Sequence, residues 1–160
     1  MKDSVTRFKM ADISAKPEIV RTVTASGRLA LSPDTIRRLA GGKIEKGDPF
    51  SAGELAAIAA AKNTSQILPL CHQVPIDLMH FKANLGEHDV VVEVSVTSTA
   101  KTGVEMEALV AVSVYLLTVW DMTKIYEKDT RGQYPGTTIV DIRVIRKEKG
   151  AARRKVNARA

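Results

Sequence analysis

The spacing of apolar and polar positions changes several times along this chain, and each change predicts an element. Ile19 to Leu31 reads as extended, with room for a break at Ser26-Gly27. Ser32-Pro33 then opens a short helix, serine as N-cap and proline in the first turn, which stops at Gly41-Gly42. A loop carrying Lys43, Lys46, Gly47 and Asp48 follows. Ser51 and Glu54 have capping-box spacing and predict an Ala-rich helix to about Asn63. Thr64 to Leu68 adds one more turn, stopped by Pro69. Ile76–Leu85 and Val90–Thr97 alternate strongly, with Val90, Val92, Val94 and Val96 on one face, and Gly86-Glu87-His88-Asp89 predicts a hairpin between them. Thr138–Ile145 reads as a last strand, with Val140, Ile142 and Val144 inward and Asp141 and Arg143 outward.

The longest run departs from all of these. Ala108 to Trp120 is nearly continuous in apolar residues, preceded by Thr102 and Glu105 at capping-box spacing and followed by Asp121 and Lys124, three apart and so on nearly one face. At thirteen residues the run falls short of the roughly 20 that a bilayer span needs, so it predicts a buried helix. Glu107 and Asp121 lie within about 40° of each other around the axis but roughly 21 Å apart along it. One small reacting centre cannot touch both within one chain. Either one carboxylate is structural, or two copies of the helix combine, which would also cover a helix apolar nearly all round. A core helix whose charged ends simply reach water is the plainer alternative. Together the elements predict an α+β fold: an antiparallel sheet with helices packed on one face, ferredoxin-like, with one long buried helix.

The 160 residues fit a single domain over 1–150 whose core rests on aliphatic residues, since aromatics make up only 4% of the chain. One cysteine, Cys71, excludes an internal disulfide, and no secretory segment opens the chain, so a cytoplasmic setting is expected. Seven Lys/Arg and one Glu lie between Arg146 and Ala160, which matches the whole net charge of +6. The excess reads as a property of a basic, disordered tail at 151–160 and the residues before it, not of a binding face.

Four segments carry reactive side chains. Lys43 to Asp48 sets two ammonium groups near glycine, a way to hold phosphate, though without the Walker A pattern, and taken alone a solvated turn is the plainer reading. Pro69-Leu70-Cys71-His72-Gln73 pairs a thiol with an imidazole, which suggests a metal or a thiol nucleophile. No second cysteine completes a metal site, and His80 and His88 lie on or beside the hairpin, so hydrogen bonding of a flat polar ligand by His72 is the better expectation. The start of the long helix, with Lys101, suits an anion. Its end, with Asp121 and Lys124, suits general acid–base work, because a carboxylate orients and tunes the lysine beside it.

These segments are more specific in order than singly. SAKPE at Ser14–Glu18, KGD at Lys46–Asp48, AAK ending at Lys62, PLCH at Pro69–His72, KTGVEMEAL at Lys101–Leu109 and DMTK at Asp121–Lys124 make the chain, over residues 11 to 149, closely resemble the cyclic pyranopterin monophosphate synthase (MoaC) family of molybdenum cofactor biosynthesis. Two stretches depart from the commonest bacterial pattern: a longer Arg131–Gly136, and Lys147-Glu148-Lys149-Gly150 with the basic tail. The resemblance implies a lyase that converts 3′,8-cyclo-7,8-dihydro-GTP to cyclic pyranopterin monophosphate and pyrophosphate. It implies catalytic roles for Asp121, Lys124 and Lys46 and substrate contact by Leu70, Cys71, His72, Met106 and Glu107. It further implies a homohexamer, a trimer of dimers with sites at the dimer interface, and no redox cofactor or protein-bound metal, with Mg²⁺ compatible with the triphosphate. The competing readings are a nucleic-acid-binding module using the basic tail and a non-catalytic scaffold. No membrane association and no specific nucleic acid are expected.

Overall fold

The computed structural model describes residues 8–152. In chain order its elements are β1 (Ile19–Ala30), α1 (Pro33–Ala40), α2 (Pro49–Lys62), α3 (Thr64–Ile67), β2 (Leu78–Leu85), β3 (Asp89–Ala100), α4 (Glu105–Thr123), a 3₁₀ turn (Lys124–Tyr126) and β4 (Thr138–Ala152). The four strands form one antiparallel sheet in the order β2-β3-β1-β4, the ferredoxin-like arrangement.

Alternation decides which face of the sheet is covered. Val23, Ala25 and Leu29 of β1 and Val90, Val92, Val94 and Val96 of β3 are fully buried beneath the helices. The opposite face carries hydroxyls, with Thr22 and Thr97 2.9 Å apart and Thr24 donating to Ser95 at 3.2 Å. Helix α4 lies over β1 and β3, and α2 packs along it. Two glycines permit the close approach. A Cβ on Gly27 would stand 2.7 Å from Val112 Cγ1, and one on Gly53 2.9 Å from Tyr115 Cε1. β1 therefore runs unbroken through Ser26-Gly27, where an interruption had room: the glycine marks a helix contact, not a break.

Both expected capping boxes are replaced. At α2 the N-cap is Asp48, whose carboxylate accepts from the Phe50 N–H at 3.0 Å and from the Ser51 hydroxyl, because Pro49 already supplies the first helical residue. At α4 the N-cap is Val104, without a side-chain cap. The Glu105 carboxylate is bound by Lys147 of β4, a charge-assisted partner, and not by the Thr102 N–H that a capping box would use. With the 3₁₀ turn, the helical segment Glu105–Tyr126 is long and apolar enough, by length and composition alone, to cross a bilayer, unlike its thirteen-residue inner run. Here it is the helix that covers the sheet.

β4 departs most from expectation. Leu29 pairs with Ile139 and Ala25 with Val144, so five residues of β1 face six of β4. The surplus is taken up in a bulge at Asp141, whose φ is 58° and whose carboxylate is held by Arg28 at 2.7 Å. The bulge shifts the alternation ahead of it: Ile139 packs on the core and Val140, expected inward, is 37% exposed. Beyond it Val144 packs on the core as expected, and Ile142, 39% exposed, keeps its Cγ1 3.2 Å from the Gly27 Cβ position on the helix side. The strand also continues to Ala152, so Arg146, Lys147 and Lys149 belong to the sheet and not to a tail. The expected tail keeps only residues 153–160, which lie outside the described residues.

Candidate active site

The loop between α1 and α2 and the end of α4 meet, although they are far apart in sequence. Ile44 is buried and anchors the loop, and Gly47, at φ 104°, turns the chain into the Asp48 cap. Lys46 is thereby presented to α4. Its Nζ donates to the Asp121 carboxylate at 2.7 Å and to the Asp121 carbonyl at 3.0 Å, while Lys124 Nζ donates to the other carboxylate oxygen at 2.6 Å. The hydrogen bonds from Lys124 and then Lys46 hold the Asp121 carboxyl down at about 2, so it is ionised at neutral pH. The Asp121 bond in turn raises Lys124 above the ordinary lysine value. All three side chains are about half exposed, so a ligand can reach them. Their geometry is a carboxylate between two ammonium groups, with donors left over for an anion.

The other five expected residues gather elsewhere. Leu70, Cys71, His72, Met106 and Glu107 line one cavity of about 390 Å³ at the start of α4, with Glu105 on its wall. Glu107 is 3% exposed, and burial pushes its carboxyl above the usual range, reinforced by the neighbouring Glu105 charge and opposed by its own N–H. Burial, then the Glu107 charge, also raises the Cys71 thiol, which favours the neutral form over a nucleophilic thiolate. The eight residues thus form two clusters at opposite ends of α4, separated by about 21 Å at 1.5 Å per residue.

Other polar groups at this end were not singled out in the sequence. Arg21 of β1 donates to the carbonyls of Ala100 and Lys101, and Lys147 binds Glu105 on the cavity wall. The Arg21 pairing depends on β1–β3 register and the Lys147 pairing on the irregular β4, neither of which local spacing reveals. Lys101, expected to face an anion, donates to the Ser14 carbonyl at 3.0 Å and ties down the segment before β1. Among the described residues no group of three or more His, Cys, Asp or Glu side chains gathers to hold a metal ion.

The protein is of the α+β class, a ferredoxin-like sheet whose core helix carries a lysine–carboxylate cluster at one end and a cavity walled by Glu105 and Glu107 at the other. The MoaC family model matches residues 10–150, and the chain belongs to the MoaC family. It is 48% identical over 143 residues to a probable cyclic pyranopterin monophosphate synthase of Methanococcoides burtonii, covering 89% of this chain and 90% of the relative. A relative from Pyrococcus furiosus with the same description is 47% identical over 141 residues, covering 88% and 90%. One from Methanothermobacter thermautotrophicus, described as a probable accessory protein of that synthase, is 48% identical over 141 residues, covering 88% and 89%.

Proposed function

We propose that this chain is a cyclic pyranopterin monophosphate synthase of molybdenum cofactor biosynthesis, a lyase that converts 3′,8-cyclo-7,8-dihydro-GTP to cyclic pyranopterin monophosphate with release of pyrophosphate. The observation that carries the reading is the convergence of Lys46 and Lys124 on one ionised carboxylate, Asp121. A triphosphate requires cations with spare donors, and the two ammonium groups supply them. Rearrangement of a purine to a pterin requires protons moved on and off ring atoms. Lys46 and Lys124 are the groups able to hold and move a proton at this end, and Asp121 orients both. Glu107, with its raised carboxyl, is a further group able to hold and release a proton, and His72 and Cys71 contact the ring system beside it. No described carboxylate cluster seats a cation, so any Mg²⁺ would travel with the triphosphate.

One substrate cannot reach both ends of α4 in a single chain, so each site is shared between subunits. The outward stripe of α4, including Met106 at 37% and Leu117 at 55% exposure, suits an antiparallel partner helix that brings the start of one copy to the end of the other. A cytoplasmic trimer of dimers, with residues 1–150 as one catalytic domain, is the assembly the family resemblance favours. The nucleic-acid reading finds no support: in β4, Arg146 pairs with Glu148 and Lys147 with Glu105. Incubating the purified protein with the cyclic dihydro-GTP intermediate should release pyrophosphate and yield a pterin. Intact protein that binds the intermediate but releases none sinks the assignment.

A further inference from the structure

Lys46 sits on a loop, and a loop lysine is useful only if its backbone is held. Part of that hold comes from Tyr126, in the 3₁₀ turn that follows the catalytic helix. The N–H of Glu45, the residue before Lys46, donates to the Tyr126 hydroxyl at 3.1 Å. Tyr126 is itself fixed from two sides. Its ring packs against the core, and the Arg38 guanidinium lies 4.7 Å from the ring centroid, with Arg38 Nε bound to Asp34 at 2.8 Å. The next residue, Glu127, accepts from the Ser32 N–H at 3.0 Å, from the Ser32 hydroxyl at 2.8 Å and from Thr35, all at the start of α1. Both ends of α1 therefore grip the turn that carries Lys124 and Tyr126, and the Tyr126 hydroxyl passes that rigidity to the loop that carries Lys46.

We propose that Tyr126, braced by Arg38, is a positioning residue that sets Lys46 against Asp121. The proposal rests on the catalytic reading of Lys46 above. A hydroxyl that holds one peptide controls the origin of a long, flexible side chain, and small misplacements of a catalytic group cost rate much more than binding. Tyr126→Phe removes the acceptor and keeps the ring, the core contact and the Arg38 stack.

The test has two arms. In the first, which needs no substrate, the rates at which a small amine-acylating reagent modifies Lys46 and Lys43 are mapped by mass spectrometry in the wild type and in Tyr126→Phe. Release of Lys46 from Asp121 should raise its acylation several-fold, while Lys43, on the same loop, changes little. Equal Lys46 rates in the two proteins overturn the proposal, as does a parallel rise at Lys43, which means general loosening. In the second arm, Tyr126→Phe should lower kcat about tenfold with KM changed less than about twofold, and should cost nothing further in a Lys46→Ala background. A further loss in that background means that Tyr126 acts by another route and overturns the proposal. Should the wild type itself release no pyrophosphate, the functional reading falls while the acylation arm still decides whether Tyr126 places Lys46.

Discussion

Replacing Gly27 by alanine adds one methyl group where α4 comes closest to the sheet. The new carbon would stand 2.7 Å from Val112 Cγ1, 2.8 Å from Leu116 Cδ1 and 3.2 Å from Ile142 Cγ1. Unstrained carbon contacts lie at about 3.5–4.0 Å, so neighbours must give by roughly an ångström. Val112 is fully buried and β-branched, with a single favoured rotamer in a helix, and Leu116 is fully buried as well. Relief must come from tilting α4 or forcing a side chain off its rotamer, for which overpacking typically costs about 1–3 kcal/mol. Loss of glycine's freedom in the unfolded chain returns about 0.4–1 kcal/mol. The net loss is about 1–2 kcal/mol, which for a chain of this length lowers Tm by about 2–8 °C. Thermal unfolding followed by circular dichroism at matched protein concentration measures it, the matching being required because association shifts Tm. Val112→Ala removes the nearest clash, so the Gly27→Ala/Val112→Ala double variant should be more stable than the sum of the single losses. A Tm for Gly27→Ala at or above wild type, or strict additivity in the double variant, would refute the close-approach account of this glycine.

The remaining predictions concern charge and assembly. Asp121→Asn should abolish most turnover with the fold intact, and Lys46→Ala and Lys124→Ala should each lose on the order of 10²-fold in kcat; near-normal steady-state rates in all three remove the acid–base assignment. Glu127→Gln should destabilise the protein by about 1–3 kcal/mol at neutral pH in urea unfolding. Burial pushes the Glu127 carboxyl up, but the Thr35, Thr137 and Ser32 bonds outweigh it and hold it below the ordinary range. Its stabilisation is therefore present above the unfolded carboxylate pKa of about 4.3 and lost as pH falls through the lower folded value. The deficit of the variant should shrink over that acidic window, and a deficit independent of pH contradicts the argument. Co-expressed Asp121→Asn and His72→Ala chains should recover activity up to about a quarter of wild type, because half of randomly paired dimers are mixed and each mixed dimer keeps one intact site. Mixed dimers that form and stay inactive show that both residues serve from one chain.

Elements governed by their own residues are legible in the sequence. The β3 alternation, the Ser32-Pro33 helix start, the Gly41-Gly42 stop, the hairpin at Gly86–Asp89 and the apolar run of α4 are all local, because periodicity and turn chemistry act within a few residues. The separation of Glu107 and Asp121 was legible too, since helix rise depends on nothing outside the helix. Spacing placed Asp121 beside Lys124, but Lys46 meets them only through the fold, across 75 residues.

Competition between distant partners lay beyond local spacing. Glu105 fits a capping box by position, yet a lysine 42 residues away offers it a stronger bond. Gly27 looks like a strand breaker in sequence, and only the approach of Val112 and Leu116 shows that the missing side chain is the requirement. The basic stretch after Ile145 has a tail's composition, but β1 presents an unpaired edge whose N–H and C=O groups draw it into the sheet as far as Ala152. The sides that Ile139 and Val140 take likewise follow from the surplus residue at Asp141, held by Arg28. Sequence by itself determined which segments become helix or strand and how far apart residues on one element stand. The tertiary structure decided which of several suitable partners each charged group and strand edge takes, because that choice compares bonds between groups brought near only after the chain has folded.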